Sequence, residues 1–146
     1  MELTKDIGIF IIDRGNTLLK TALFQKHNIL NVRQFNSLSG DELNLLMDDL
    51  EQEYTVKIKY STVSSVVPEN KELFITLKQR TQFIELNHET SLPFNNLYQT
   101  PKSLGKDRIA AVTGALTLFP KSDLLIIDAG TCITFDFINQ NKEYFG

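Results

Sequence analysis

Two stretches of this chain read almost alike: IIDRGNTLLKTALF from Ile11 to Phe24, and IIDAGTCITFDFI from Ile126 to Ile138. Each is an apolar run, an aspartate, one residue, a glycine, a small polar residue and a second apolar run. Short apolar runs bounded by turn residues predict buried strands, and the tight link between them predicts a hairpin.

Working outward from the first copy, Ile7 to Ile12, Leu18 to Phe24 and Asn28 to Phe35 predict three strands, the last a meander edge. Ser39-Gly40-Asp41-Glu42 reads as a capping box, with serine at the N-cap and glutamate three residues on. Leu43, Leu46, Met47 and Leu50 follow at helical spacing. Lys59 to Val67 predicts a strand ending at Pro68, and Pro68 suits the first position of a helix whose face is Leu73, Phe74 and Leu77. Gln82 to Leu86 reads as a short strand and Asn87 to Leu104 as a loop. Asp107 to Phe119 predicts a helix with Ile109, Val112, Leu116 and Phe119 on one side, stopped by Pro120. Leu124 to Ile127 and Cys132 to Ile138 flank the second turn. Three strands followed by alternating helices and strands predict an α/β fold, a mixed sheet with helices on its faces.

The repeat sets the expected domain organisation. The first copy opens a domain over residues 1–120; the second opens another over 121–146, whose third strand begins near Tyr144-Phe145-Gly146. The expectation is the front part of a two-domain protein, the second domain incomplete, with an open strand edge and an open apolar face.

Composition removes several classes of function. Fifteen basic side chains against 18 acidic ones give a net charge of −3, without the basic stripe that phosphate-backbone binding needs, so no nucleic-acid partner is expected. One cysteine, Cys132, excludes a disulfide framework and a cysteine-rich zinc site. His27 and His88 are far apart and are expected at the surface. The apolar run after MELTKD is too short for a membrane span or a signal segment, so the expected compartment is the cytoplasm, with no membrane partner.

The turns suggest phosphate and cation chemistry. A glycine in a tight turn lets backbone N–H groups converge on an anion, and the hydroxyls of Thr17 and Thr131 can donate to phosphate oxygens. An aspartate at a strand end cannot bind phosphate, but it can hold a cation that does. Two such cradles facing each other across a cleft would grip a triphosphate. A third element is Leu104-Gly105-Lys106-Asp107-Arg108. It reads either as a helix-start carboxylate beside a solvated arginine, or as a base for an attacking hydroxyl beside a guanidinium that fixes a substrate anion.

DRGNTLLK (Asp13 to Lys20), SSVVP (Ser64 to Pro68), YQTPKSLGKDR (Tyr98 to Arg108) and DAGTCITFD (Asp128 to Asp136) resemble type III pantothenate kinase, in the same order and at similar spacing. That family includes proteins named Bvg accessory factor. It belongs to the acetate kinase, sugar kinase, Hsp70 and actin superfamily, built from two ribonuclease H-like domains. The resemblance implies ATP-dependent phosphorylation of pantothenate to 4′-phosphopantothenate, with magnesium and a monovalent cation, potassium or ammonium, in a homodimer. By position it implies that Asp13, Arg14, Gly15, Asn16, Thr17, Leu18, Leu19 and Lys20 form the first phosphate loop, and that Thr131 contacts ATP. Asp128 would bind the monovalent cation. Tyr98, Gly105, Lys106, Asp107 and Arg108 would bind pantothenate, with Asp107 the general base. Two departures stand out: Arg14 fills a turn position that is usually small or apolar, where it either adds a phosphate contact or points into solvent, the expected direction, and Cys132 stands where alanine is common, expected as buried packing. Other readings are a non-catalytic accessory or transcriptional regulator of the same fold, and another kinase of the superfamily. The resemblance also implies that this length alone does not turn over.

Overall fold

The first hairpin forms where the sequence places it. In a computed structural model describing residues 6–65, 71–130 and 132–146, β1 (Asp6–Arg14) runs antiparallel to β2 (Leu19–Gln25), pairing Ile12 with Thr21 and Asp13 with Lys20. The third strand, β3 (Asn28–Phe35), continues the meander antiparallel to β2. α1 (Gly40–Glu53) then carries the chain across to β4 (Val56–Ser65), which lies parallel to β1, and α2 (Lys71–Arg80) carries it on to β5 (Gln82–Glu85), parallel to β4. The sheet order is β3-β2-β1-β4-β5, three antiparallel strands extended by two parallel ones. The helix start expected at Pro68 lies outside the described residues.

The capping box fixes the start of α1. Glu42 N–H donates to Ser39 Oγ at 3.2 Å, and Glu42 Oε2 accepts from Ser39 N–H at 2.8 Å, so two otherwise unpaired N–H groups are satisfied. The helical spacing then buries Leu43, Leu46, Met47 and Leu50 together with Leu73, Phe74 and Leu77 of α2 against Phe10, Ile12, Leu19, Leu23, Val56, Ile58 and Val63. A side chain of this size, fully buried, contributes ~1.5–3 kcal/mol. Only one face of β1 is buried to this degree: Ile9 and Ile11 are half-buried and Ile7 is exposed, because both helices belong to the cluster on the Phe10–Ile12 face.

By contacts the chain divides into two compact units, Met1–Leu86 and Asn87–Gly146. The division falls well before the boundary expected at residue 120, because α3 (Lys106–Leu118) packs on β7 (Leu124–Ala129) and β8 (Ile133–Ile138). The expected loop from Asn87 to Leu104 contains β6 (Asn95–Asn96) and a 3₁₀ turn at Pro101–Ser103. β6 pairs parallel with β9 (Glu143–Tyr144), giving a second sheet of order β6-β9-β8-β7. Phe94, Leu104, Ile109, Val112, Ile138 and Tyr144 are its buried apolar side chains. Phe119, expected on the packed side of α3, is 60% exposed, because the helix ends at Leu118 and Phe119 leaves helical geometry as the C-cap.

Candidate active site

Asp13 lies at the end of β1, exposed, in register with Lys20 on β2 and Ser64 on β4. The turn after it is closed by Gly15 N–H donating to the Leu18 carbonyl at 3.0 Å. That bond changes the expected role of the glycine. Its N–H is used within the turn, and the groups left to meet an anion are the N–H groups of exposed Asn16 and Thr17, which donate to no backbone carbonyl among the described residues. Leu18 is half-buried and Leu19 lies in the core, so Leu19 can serve a ligand only through its backbone. Lys20 is exposed. Arg14 does not point freely into solvent: its Nη1 donates to the Asn36 carbonyl at 2.8 Å, tying the turn to the end of β3.

The second turn follows the same plan. Asp128, also exposed, stands near the end of β7 in register with Thr134 of β8, and Gly130 N–H donates to the Cys132 carbonyl at 3.0 Å. Thr131 lies outside the described residues. Cys132 is exposed rather than buried, because it still belongs to the turn that this bond closes and the strand starts only at Ile133. Each turn aspartate therefore neighbours a buried hydroxyl, Ser64 Oγ or Thr134 Oγ1, that has no hydrogen-bond partner among the described residues. Buried polar groups are nearly always paired, so these two are notable. A carboxylate with a hydroxyl beside it is an oxygen donor set of the kind hard cations take. No group of three or more His, Cys, Asp or Glu side chains among the described residues could hold a metal by itself.

The third element opens α3. Gly105 is the N-cap, and Asp107, half-buried in the first turn, sits where the helix dipole favours a carboxylate. Asp107 Oδ1 accepts from Arg108 N–H at 2.9 Å. The reading of Arg108 as a solvated surface charge is not what the fold shows. Its Nε donates to Asp136 Oδ1 at 2.9 Å, its Nη2 lies 2.8 Å from the same oxygen, and Nη2 also reaches the Phe135 carbonyl at 3.3 Å. Tyr98 stacks its ring 5.2 Å from the guanidinium carbon, and the Tyr144 hydroxyl donates to Asp136 Oδ1. The bond to Asp136 pushes the Arg108 pKa further above its ordinary value. Burial first, then the bond to Asp136, pushes the Tyr144 phenol up. Tyr98 and Arg108, both expected at the substrate, are thus brought together; Lys106 is half-buried at the first helical position. Asp13 to Lys20 belong to the first unit and the other candidates to the second. Two surface hollows of the first unit, of about 350 and 290 Å³, are lined by none of the candidate residues.

Over residues 9–146 the chain matches the type III pantothenate kinase family. It belongs to that family. The type III pantothenate kinase of Christiangramia forsetii is 40% identical over 136 residues, 93% of this chain and 54% of that protein. That of Phocaeicola vulgatus is 39% identical over 137 residues, again 93% and 54%. The chain therefore spans about half the length of the curated relatives it matches. Among solved structures, the Ppx/GppA phosphatase of Aquifex aeolicus aligns with 96% of this chain and 50% of its own, at 13% identity and a TM-score of 0.47.

Sequence reading for a type III pantothenate kinase missed Asp136 as a partner of Arg108. The signal was present: an acid at an inward position of the apolar strand Ile133–Ile138 needs a buried partner. Ser64 and Thr134 were visible only as letters inside quoted motifs, because a missing hydrogen bond cannot be read from sequence.

Proposed function

We propose that this chain supplies the first phosphate loop, the cation-binding aspartate and the pantothenate-binding segment of an ATP-dependent pantothenate kinase that makes 4′-phosphopantothenate. The observation that carries the reading is the start of α3, where Asp107 stands in the first turn next to an Arg108 already held in place by Asp136 and Tyr98. Phosphoryl transfer has a loose transition state with charge spread over the equatorial oxygens, so the protein's task is alignment and charge neutralisation. Asp107 orients the pantothenate hydroxyl and accepts its proton. Arg108 binds the pantothenate carboxylate, Tyr98 contacts the same substrate, and Gly105 and Lys106 line it. Asn16 and Thr17 offer N–H donors to ATP phosphates, with Lys20 a positive charge from the facing strand. Asp128, with Thr134 beside it, holds a monovalent cation, potassium or ammonium. The cations, magnesium included, supply fixed positive charge to the phosphates when bound. The active form is a cytoplasmic homodimer. No helix among the described residues is long and apolar enough to cross a membrane.

The test is ADP release by the protein expressed from its complete reading frame, with ATP and magnesium, with and without pantothenate, and with and without ammonium. Release that requires pantothenate and rises with ammonium supports the reading. ADP release independent of pantothenate favours another kinase or ATPase of the superfamily, and tight nucleotide binding with no turnover favours a non-catalytic accessory protein. Either outcome overturns the proposal.

A further inference from the structure

We infer that Asp136 is a positioning residue that acts through Arg108, fixing one edge of the guanidinium so that substrate is met only from the Nη1 end. The inference rests on the reading of Arg108 as the group that binds a substrate carboxylate.

Arg108 has five N–H donors in a rigid fork. Nε and Nη2 both point at Asp136 Oδ1, at 2.9 and 2.8 Å, and Nη2 reaches the Phe135 carbonyl at 3.3 Å. These contacts occupy the Nε–Nη2 edge, the one that commonly binds a carboxylate through two parallel bonds. Nη1 is the nitrogen that bonds neither Asp136 nor the Phe135 carbonyl, so a carboxylate is met end-on. Asp136 is itself fixed: it is 1% exposed, and the Tyr144 hydroxyl donates to the same Oδ1. Tyr144 is fully buried, with its ring 5.5 Å from Phe94 and 6.3 Å from Tyr98. Tyr98 in turn covers the guanidinium. The assembly is a chain of contacts from the buried Tyr144 through Asp136 to the Nε–Nη2 edge of the guanidinium. A buried carboxylate without its cation is costly, so the orientation is strongly enforced. The pair also cancels its own charge, so recognition at Nη1 depends on direction more than on net attraction, and substrate affinity should respond weakly to salt.

Two measurements on the protein from its complete reading frame test this. In the first, Asp136→Asn and Tyr144→Phe are assayed for kinase activity. Asp136→Asn keeps the shape and is expected to raise KM for pantothenate about tenfold, with kcat changed by less than about threefold and KM for ATP unchanged. Tyr144→Phe is expected to move the same constant in the same direction by less. In an Arg108→Ala background, Asp136→Asn should add no further increase, because the residue it acts through is gone. An unchanged pantothenate KM in Asp136→Asn, or effects that simply add in the double variant, would overturn the inference while the kinase reading stands. The second measurement does not depend on activity: the Nε–H resonance of Arg108 in ¹⁵N-labelled protein, identified by its loss in Arg108→Lys. It should exchange slowly in the parent and fast in Asp136→Asn. Fast exchange in the parent would overturn the positioning role. Absence of pantothenate turnover in the parent with a protected Nε–H would overturn the substrate reading and leave the Arg108–Asp136 geometry intact.

Discussion

At the scale of single residues, the placement of Asp107 depends on what its neighbours lack. Gly105 caps α3 without a side chain, and a Cβ there would collide with Asp107 Oδ1. Nothing in the backbone demands glycine at this position, since Gly105 has φ −57° and ψ 135°, angles open to any residue. Gly105→Ala is therefore expected to keep the fold and displace the carboxylate, lowering kcat at least tenfold with the melting temperature within about 2 °C of the parent. Activity equal to the parent's would show that Asp107 is not held where the proposal needs it. Residue identities at this segment were legible from sequence because the motif is local: glycine, lysine, aspartate and arginine in consecutive positions at a helix start. The partners of Arg108 were not legible, because Asp136 and Tyr144 reach it only through the pairing of β8 with β9 and the packing of α3. Cys132 was misplaced for a similar reason: that it belongs to the turn and not to the strand is decided by one hydrogen bond, Gly130 N–H to the Cys132 carbonyl.

At the scale of elements, periodicity carried most of the information. The capping box and the i, i+3, i+4, i+7 apolar residues of α1 were fully visible in sequence, and the helix starts and buries its face as they require. The bonds from Ser39 hold the Glu42 carboxyl below the ordinary glutamate range. A carboxyl depressed in the folded state stabilises above the unfolded-state pKa, and that contribution is lost as the pH falls through the lower folded value. Ser39→Ala is expected to cost about 0.5–2 kcal/mol in urea denaturation at neutral pH and to flatten the loss of stability on acidification. An unchanged midpoint would show that the cap adds nothing. The turn after β1 gives a sharper test of function. Gly15 has no positive φ, and a Cβ there would meet only the Leu18 carbonyl at 3.6 Å, an ordinary contact. The fold itself therefore tolerates alanine, which can even stabilise by about 0.4–1 kcal/mol. Gly15→Ala should leave melting unchanged or raised while KM for ATP rises severalfold; an unchanged KM would remove this turn from the ATP site. The mixed character of the first sheet followed from three strands and alternating elements, its order did not, and the two-residue strands β6 and β9 carry too few residues to show a period.

At the scale of the molecule, the repeated hairpin was the most informative feature, since each of its two copies forms an antiparallel strand pair, β1 with β2 and β7 with β8, in a sheet of its own. One side of the second sheet is apolar and exposed. Leu125, Ile127, Ile133, Phe135 and Phe137 project from one side of β7 and β8 and are 39–62% exposed, with Phe145 stacked on Phe137. A contiguous apolar face marks an interaction surface or an aggregation hazard. The 146-residue chain is expected to bind an apolar fluorescent dye and to self-associate in sedimentation, and Leu125→Lys with Ile127→Lys to reduce both; a dye-silent monomer would contradict this. We propose that the protein from the complete reading frame phosphorylates pantothenate with Asp107 as the base. Its most direct test is 4′-phosphopantothenate formed per ADP released, by the parent and by Asp107→Asn, in the protein from its complete reading frame. One product per ADP is expected from the parent and a rate lower by about 10²–10⁴-fold in the variant, with melting unchanged. Near-parental turnover by Asp107→Asn, or ADP release without phosphorylated pantothenate, would contradict it.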